Sequence, residues 1–233
     1  MLWTPARPGS LVWLPSLLVP RRSPVPAFAQ QVSGRRAVLT LTTFIVGTVL
    51  LSLTLHVEKG SRAFVVFGLA TAAAWGIGAL VSAHVTLLPN RVGAGRVLVQ
   101  AGAIGVTLFV MFATAYQVAK HTPVLSGALD SVLGKADAAP RVIVLVVTLT
   151  NGLAEELYFR GALPAGLPVR RPALLAGLLY VAATAATGNL ALVIAAVVMG
   201  TVLGLVRLGS GGVLAPIVTH LTWSTLMLLA LPR

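Results

Sequence analysis

Apolar residues are concentrated in seven runs, and short segments that contain Arg, Lys, Gly or Pro separate them. A helix rises about 1.5 Å per residue and the hydrocarbon core of a bilayer is about 30 Å thick, so most of these runs can span a membrane. The pattern therefore predicts an all-α fold, a polytopic transmembrane helical bundle with about seven spans (six to eight). The runs are residues 37–56, 63–88, 97–119, 142–159, 172–186, 189–208 and 213–231, of which 172–186 is the shortest.

Two segments fall outside the apolar pattern. Residues 1–36 are rich in Pro and Arg, which predicts a cytoplasmic tail that is disordered or lies in the membrane interface. Residues 37–231 then form a single transmembrane domain. Within it, residues 120–140 contain four residues that disfavour a long helix, namely Pro123, Gly127, Gly134 and Pro140. We interpret this segment as a loop with a short surface helix, or as an eighth segment that is half inserted.

The composition agrees with a membrane protein and excludes a soluble enzyme. Hydrophobic residues make up 57% of the chain and charged residues only 9%, whereas an average soluble domain has about 25% charged residues. Too few polar groups are present to cover a soluble fold, and so high an apolar content also excludes a disordered chain. Since the chain has no cysteine, disulfides, thiol nucleophiles and thiolate metal ligands are excluded as well.

The net charge of +12 has a topological explanation. In a soluble protein it would indicate nucleic-acid binding, but here the Arg residues lie in short loops between apolar runs. We therefore expect membrane lipid, and no nucleic acid, as a partner. If the N-terminus lies inside, eleven of the 17 Lys and Arg residues fall on the inner side. The positive-inside rule then predicts a multi-pass integral membrane protein with a cytoplasmic N-terminus.

Two of the five acidic residues are adjacent, at the end of the fourth apolar run. Glu155 and Glu156 are the first charges after residue 142, and ionisable groups inside a span usually face a cavity or a partner. Arg160 follows Glu156 by four residues on the same helix face, so the two can form an ion pair. Glu155 points about 100° away and remains comparatively free, which suits a general base acting on water. The alternative is a helix end where both Glu side chains meet headgroup water.

His220 is the second candidate, and Ser224 shares its helix face four residues later. With the N-terminus inside, His220 lies roughly 10 Å and Glu155 roughly 7 Å from the inner ends of their spans, so the two can meet at similar depth. The alternative for a single buried His is a structural hydrogen bond. Nearby, Gly200 and Gly204 form a GxxxG pair, which we interpret as a helix-packing surface.

These residues resemble a known family. The letters EELYFR, from Glu155 to Arg160, match the EExxxR motif of the CPBP family, the CAAX-prenyl-protease-like and bacteriocin-processing (Abi) intramembrane proteases. The stretch that contains His220 resembles the Gly-rich helix and the final HxxxN motif of that family. The resemblance covers residues 142–231. It implies an intramembrane endopeptidase that cleaves a peptide near the inner membrane face, and we expect a bacterial cell membrane.

The resemblance also assigns roles to the residues. In the family, the first Glu and the His of an FxxxH motif are thought to activate water, while the last His and Asn hold the oxyanion. By resemblance, Glu155 is the base, Glu156 and Arg160 are an orienting pair, and the oxyanion clamp consists of His220 and Ser224. Ser224 replaces the Asn of the family, and the best placement of FxxxH, residues 180–184, has Thr184 in place of His.

The Thr184 position supports a competing function. Because Thr cannot take up a proton near neutral pH, the chain is alternatively a catalytically impaired member that binds a peptide, as a membrane scaffold or immunity-type protein. We hypothesise that His84, which lies at the predicted depth of Glu155, supplies the missing imidazole. The alternative for His84 is a position in the interfacial layer. A transporter is a weaker interpretation, because no inverted repeat is visible.

The catalytic mechanism of the family that these residues resemble has been described both as metal-dependent and as dependent on a glutamate base. The conceivable ligands of a zinc ion in this chain are Glu155, Glu156 and His220, with His84 as a further one. Zinc usually takes three protein ligands and a water, and no HExxH-like spacing is present. The substrate is a peptide or protein whose identity the residues do not specify.

Overall fold

The computed structural model describes residues 34–82, 85–87, 93–167 and 169–230 of the chain. Every regular element in these ranges is a helix, which confirms the predicted all-α bundle. The helices are α1 (Gly34–His56), α2 (Arg62–Ser82), α3 (Ala94–Ala119), α4 (Pro123–Asp137), α5 (Arg141–Gly166), α6 (Pro172–Ala185), α7 (Leu190–Ser210) and α8 (Leu214–Ala230). The predicted tail, residues 1–36, falls outside the described residues except for its last three positions, which begin α1.

Apart from α4, the described helices divide into two classes by length. Five of them, α1, α2, α3, α5 and α7, are long and apolar enough to cross a membrane, whereas α6 and α8 are apolar but shorter. The 14 residues of α6 rise only about 21 Å, so α6 cannot cross 30 Å of hydrocarbon as a straight helix. About seven apolar helices were predicted, and their order along the chain is confirmed.

Large apolar side chains cover the outside of the bundle. Leu80 is 73% exposed and Val99 is 74% exposed, and many other Val, Leu and Ile residues are more than half exposed. A soluble surface of this kind would aggregate, whereas a bilayer solvates it. The protein is therefore an integral membrane protein.

Two connections differ from the sequence expectation. Helix α2 ends at Ser82, well before the end of the apolar run at residue 88, and the described segment 85–87 is not helical. This segment lies along the start of α8, where the N–H of Val213 donates to the carbonyl of Thr86 at 3.0 Å. Within residues 120–140, interpreted as a loop with a short surface helix or as a half-inserted segment, Pro123–Asp137 form the 15-residue helix α4. Pro123 does not interrupt α4 because it occupies the first turn, where its missing N–H is harmless.

Helix α5 is the centre of the bundle, in contact with α2, α6, α7 and α8. Its neighbour α2 contributes Trp75, which is fully buried and packs on Tyr158 and Phe159 of α5 with ring centroids 4.8 and 4.9 Å apart. Trp75 fits between the helices because Gly47 of α1 has no side chain: a Cβ there would lie 2.6 Å from the indole ring. The Tyr158 hydroxyl donates to the carbonyl of Thr40 at 2.6 Å, which ties α1 to the same cluster.

Candidate active site

The backbone of α5 changes its winding where the two adjacent glutamates occur. Arg141–Glu155 is regular α-helix, and Glu156–Ala162 is π-helix before a last α-helical turn at Leu163–Gly166. A π-helix is rare and is frequently found at functional sites. Here the wider turn lies against the aromatic cluster of Trp75, Tyr158 and Phe159, so tertiary packing supports a winding that the local sequence does not favour.

A buried three-residue cluster begins at Glu156, whose side chain is 0% exposed. Its Oε1 accepts a hydrogen bond from Arg160 Nη1 at 3.1 Å and lies 2.9 Å from His220 Nδ1 on α8. Arg160 Nη2 also donates to the carbonyl of Met199 on α7 at 3.4 Å. The predicted ion pair between Glu156 and Arg160 is present. A charge held in this apolar interior needs such a partner, because an unpaired buried carboxylate is very costly.

The imidazole ring of His220 lies against the backbone of α5 at Gly152. A Cβ at Gly152 would lie 3.6 Å from His220 Nε2, an ordinary contact distance, so the ring packs on α5 one turn before the glutamates. The sequence predicts that His220 lies beside Glu155 at similar depth. The direct hydrogen bond is instead with Glu156.

Glu155 is half-buried and has a different set of neighbours. Its Oε2 accepts a hydrogen bond from the hydroxyl of Tyr180 on α6 at 3.2 Å. The Arg160 guanidinium lies over the ring of the same tyrosine, 4.5 Å from its centroid, in the geometry of a cation–π contact. Of the two carboxylates, Glu156 is thus held by two cationic or polar side chains and Glu155 by a single hydroxyl. The two glutamates therefore differ in the way that the sequence analysis predicted.

Tyr180 is the site residue that the sequence analysis missed. It occupies the first position of the stretch 180–184, in which the family motif points only to Thr184. An aromatic residue in an apolar helix gives no signal of its partner, because Tyr packs in cores as readily as it donates a hydrogen bond. The contacts with Glu155 and Arg160 follow from the way in which α6 packs against α5.

Residues 137–226 match the family model described as Type II CAAX prenyl endopeptidase Rce1-like. This part of the chain is therefore similar to the CAAX-protease-like family. The match contains Glu155, Glu156, Arg160, Tyr180 and His220 and confirms the family that the motifs predicted. No curated protein and no solved structure matches the chain.

The two positions that depart from the CAAX-protease-like motifs both direct their hydroxyls into their own helices. The Thr184 hydroxyl donates to the carbonyl of Tyr180 at 3.0 Å, and the Ser224 hydroxyl donates to the carbonyl of His220 at 2.8 Å. Neither hydroxyl contacts the carboxylates in this arrangement. His84, hypothesised to replace the missing imidazole, lies outside the described residues.

The described side chains at this site do not fit the three-ligand zinc centre that one description of the CAAX-protease-like family implies. No group of three or more His, Asp or Glu residues with the spacing of metal ligands occurs among the described residues. One oxygen of Glu156 already binds Arg160 and His220, and the nearby guanidinium opposes a second cation. The arrangement suits acid–base chemistry by the side chains themselves.

Proposed function

We propose that the protein is an intramembrane endopeptidase in which Glu155 activates the water that cleaves a peptide bond near the inner membrane face. One observation carries the proposal: five polar or charged side chains from α5, α6 and α8 converge at one place inside an apolar bundle. Such groups are costly inside a membrane and usually mark a functional site. The family match to the CAAX endopeptidase type supports the same reaction class.

Each residue has a chemical role in this proposal. Glu155 has one oxygen on Tyr180, and its other oxygen accepts a proton from water while the water oxygen attacks the scissile carbonyl carbon. His220, whose Nδ1 is held by Glu156, donates from Nε2 to the developing oxyanion. Collapse of the tetrahedral intermediate then breaks the C–N bond, and Glu155 returns the proton to the leaving amine. Arg160 keeps the Glu156 carboxylate in place.

The orientation and the partners belong to the same proposal. Arg160, Arg170, Arg171 and Arg207 lie toward one end of α5, α6 and α7, and their positive charge supports a cytoplasmic position for that end. The protein would then lie in a bacterial cell membrane with its N-terminus in the cytoplasm. Its partners would be membrane lipid and a peptide substrate, without nucleic acid.

Cleavage is tested in cells that produce the protein, because the substrate is unidentified. New peptide N-termini are compared by mass spectrometry between wild type, Glu155→Gln and the matched control Glu58→Gln, in which an exposed acid is changed in the same way. We expect new N-termini with wild type and with Glu58→Gln, and none with Glu155→Gln, since Gln keeps the shape but cannot accept the proton. New N-termini that persist with Glu155→Gln would show that Glu155 is not the base.

One specific observation favours the second candidate, a peptide-binding protein that does not cleave. Thr184 occupies the position of the motif-two His, and its hydroxyl is bound to its own helix. In that case wild type produces no new N-termini, and Thr184→His should create them, because a positioned acid–base group contributes about 10²–10⁴ in rate. If wild type already cleaves and Thr184→His adds nothing, the impaired function is wrong.

A further inference from the structure

An apolar groove runs between α6 and α7 on the outside of the bundle, next to the site but separated from its carboxylates. Its volume is about 550 Å³, within the range of small-molecule sites. Along α7 it extends from Val197 to Leu208, a rise of about 16 Å, which equals the thickness of one hydrocarbon leaflet of a bilayer. Leu174, Leu178 and Val181 of α6 form the opposite wall.

Glycines keep this groove open. Neither Gly177 nor Gly204 has any atom within 4 Å of the position that a Cβ would occupy. Only Gly200 lies close to a neighbour, with Tyr180 Cδ1 3.4 Å from its Cβ position. The GxxxG pair was interpreted as a helix-packing surface; Gly200 meets α6 in this way, whereas the Cβ position of Gly204 faces open space. Among the described residues, no side chain fills the groove at Gly177 or Gly204.

A cation lies at one end of the groove. Gly177, Gly200 and Gly204 also line a small adjoining pocket whose wall includes Arg160 and Arg207. Arg207 Nε donates to the carbonyl of Arg160 at 3.0 Å, and no hydrogen bond or ion pair of its two Nη groups occurs among the described residues. The nearest carboxylate to Arg160, that of Glu156, is already shared between Arg160 and His220. Among the described residues, no carboxylate pairs with the Arg207 guanidinium.

We propose that the groove binds one acyl chain of an anionic phospholipid of the surrounding bilayer, with the phosphate of the headgroup on Arg207. The guanidinium fork matches phosphate oxygens in two parallel hydrogen bonds. Basic pockets between transmembrane helices on the cytoplasmic side are suited to anionic headgroups. Because Arg207 also holds the backbone of the π-helical segment at Arg160, the bound lipid stabilises the helix that carries the glutamates. The inference does not depend on whether the protein cleaves a peptide.

The test uses the full chain, purified in detergent and stripped of lipid. Its melting temperature is measured by tryptophan fluorescence during titration with phosphatidylglycerol or with phosphatidylcholine of the same acyl chains. We expect a saturable rise of about 5–10 °C with phosphatidylglycerol at roughly 100-fold excess over its dissociation constant, and a much smaller rise with phosphatidylcholine. Equal rises with both lipids would overturn the role of the headgroup.

Two matched pairs of variants locate the site. Gly204→Leu fills the open groove, whereas Gly102→Leu adds the same side chain on α3 at a position that is equally open. Arg207→Gln removes the guanidinium, whereas Arg171→Gln removes an exposed one at the same end of the bundle. We expect Gly204→Leu and Arg207→Gln to lose most of the phosphatidylglycerol effect and the two controls to keep it. If Arg207→Gln does not fold, Gly204→Leu alone tests whether the lipid binds in the groove.

Three further outcomes would overturn the proposal. If Gly204→Leu keeps the full rise in melting temperature with phosphatidylglycerol, the lipid stabilises the protein through its surface charge and not through the groove. An equal rise with inorganic phosphate alone would indicate an anion site without a chain-binding groove. Loss of peptide cleavage by Gly204→Leu with an unchanged phosphatidylglycerol effect would assign the groove to a substrate segment.

Discussion

Arg160→Ala is expected to be among the most destabilising single changes in the chain. Arg160 is 4% exposed, and the Glu156 side chain that it neutralises is 0% exposed. Removal of one partner from such a buried pair costs about 3–5 kcal/mol, because the remaining charge is left without compensation. The change also removes the hydrogen bond to the Met199 carbonyl and the cation–π contact with Tyr180.

The matched control is Arg170→Ala, in which an exposed arginine of the same region is truncated in the same way. Substitutions at such surface positions usually change stability by no more than about 0.5 kcal/mol. At about 2–4 °C per kcal/mol for a chain of this size, Arg160→Ala should lower the melting temperature by about 6–20 °C. The control should lower it by about 2 °C at most. Thermal unfolding in detergent measures both.

A double-mutant cycle separates the ion pair from simple loss of packing. In a Glu156→Gln background the buried negative charge is absent, so Arg160→Ala should cost less there by about 0.5–3 kcal/mol, the usual coupling energy of residues in contact. If Arg160→Ala costs the same in both backgrounds, no ion pair contributes to stability. If Arg160→Ala is tolerated as well as Arg170→Ala, the buried cluster does not exist in the membrane.

Two further predictions concern Tyr180 and the topology. Tyr180→Phe keeps the ring over Arg160 but removes the hydroxyl that donates to Glu155. We expect the free energy of unfolding to fall by about 1.5–3 kcal/mol, the value of a hydrogen bond to a charged group. Tyr180→Leu, which also removes the ring, should lower it further. Equal losses in thermal unfolding for Phe and Leu would show that the ring contributes nothing. A reporter fused after Arg171, in the connection from α5 to α6, should behave as cytoplasmic, and a translocated reporter would reverse the proposed orientation.

Local chemistry explains what the sequence analysis predicted correctly. The apolar runs are long because a helix must satisfy its own backbone in hydrocarbon, so composition alone predicts the bundle. The ion pair of Glu156 with Arg160 depends only on four-residue spacing. The two side chains remain in contact even though this part of α5 is π-helical. The family match over residues 137–226 agrees with motifs that consist of near neighbours in the chain.

Helix packing determines the contacts between residues that are far apart in the sequence. In water the polar face of a helix reveals which side is buried, but a membrane helix is apolar toward both lipid and core, so its pattern does not indicate its neighbours. For this reason the sequence did not show that His220 binds Glu156 rather than Glu155, that Tyr180 reaches Glu155, or that Gly204 faces an open groove. The π-helical turn at Glu156–Ala162 was not indicated either, because the apolar run predicts a regular α-helix and the packing of Trp75 on Tyr158 and Phe159 is seen only in the fold.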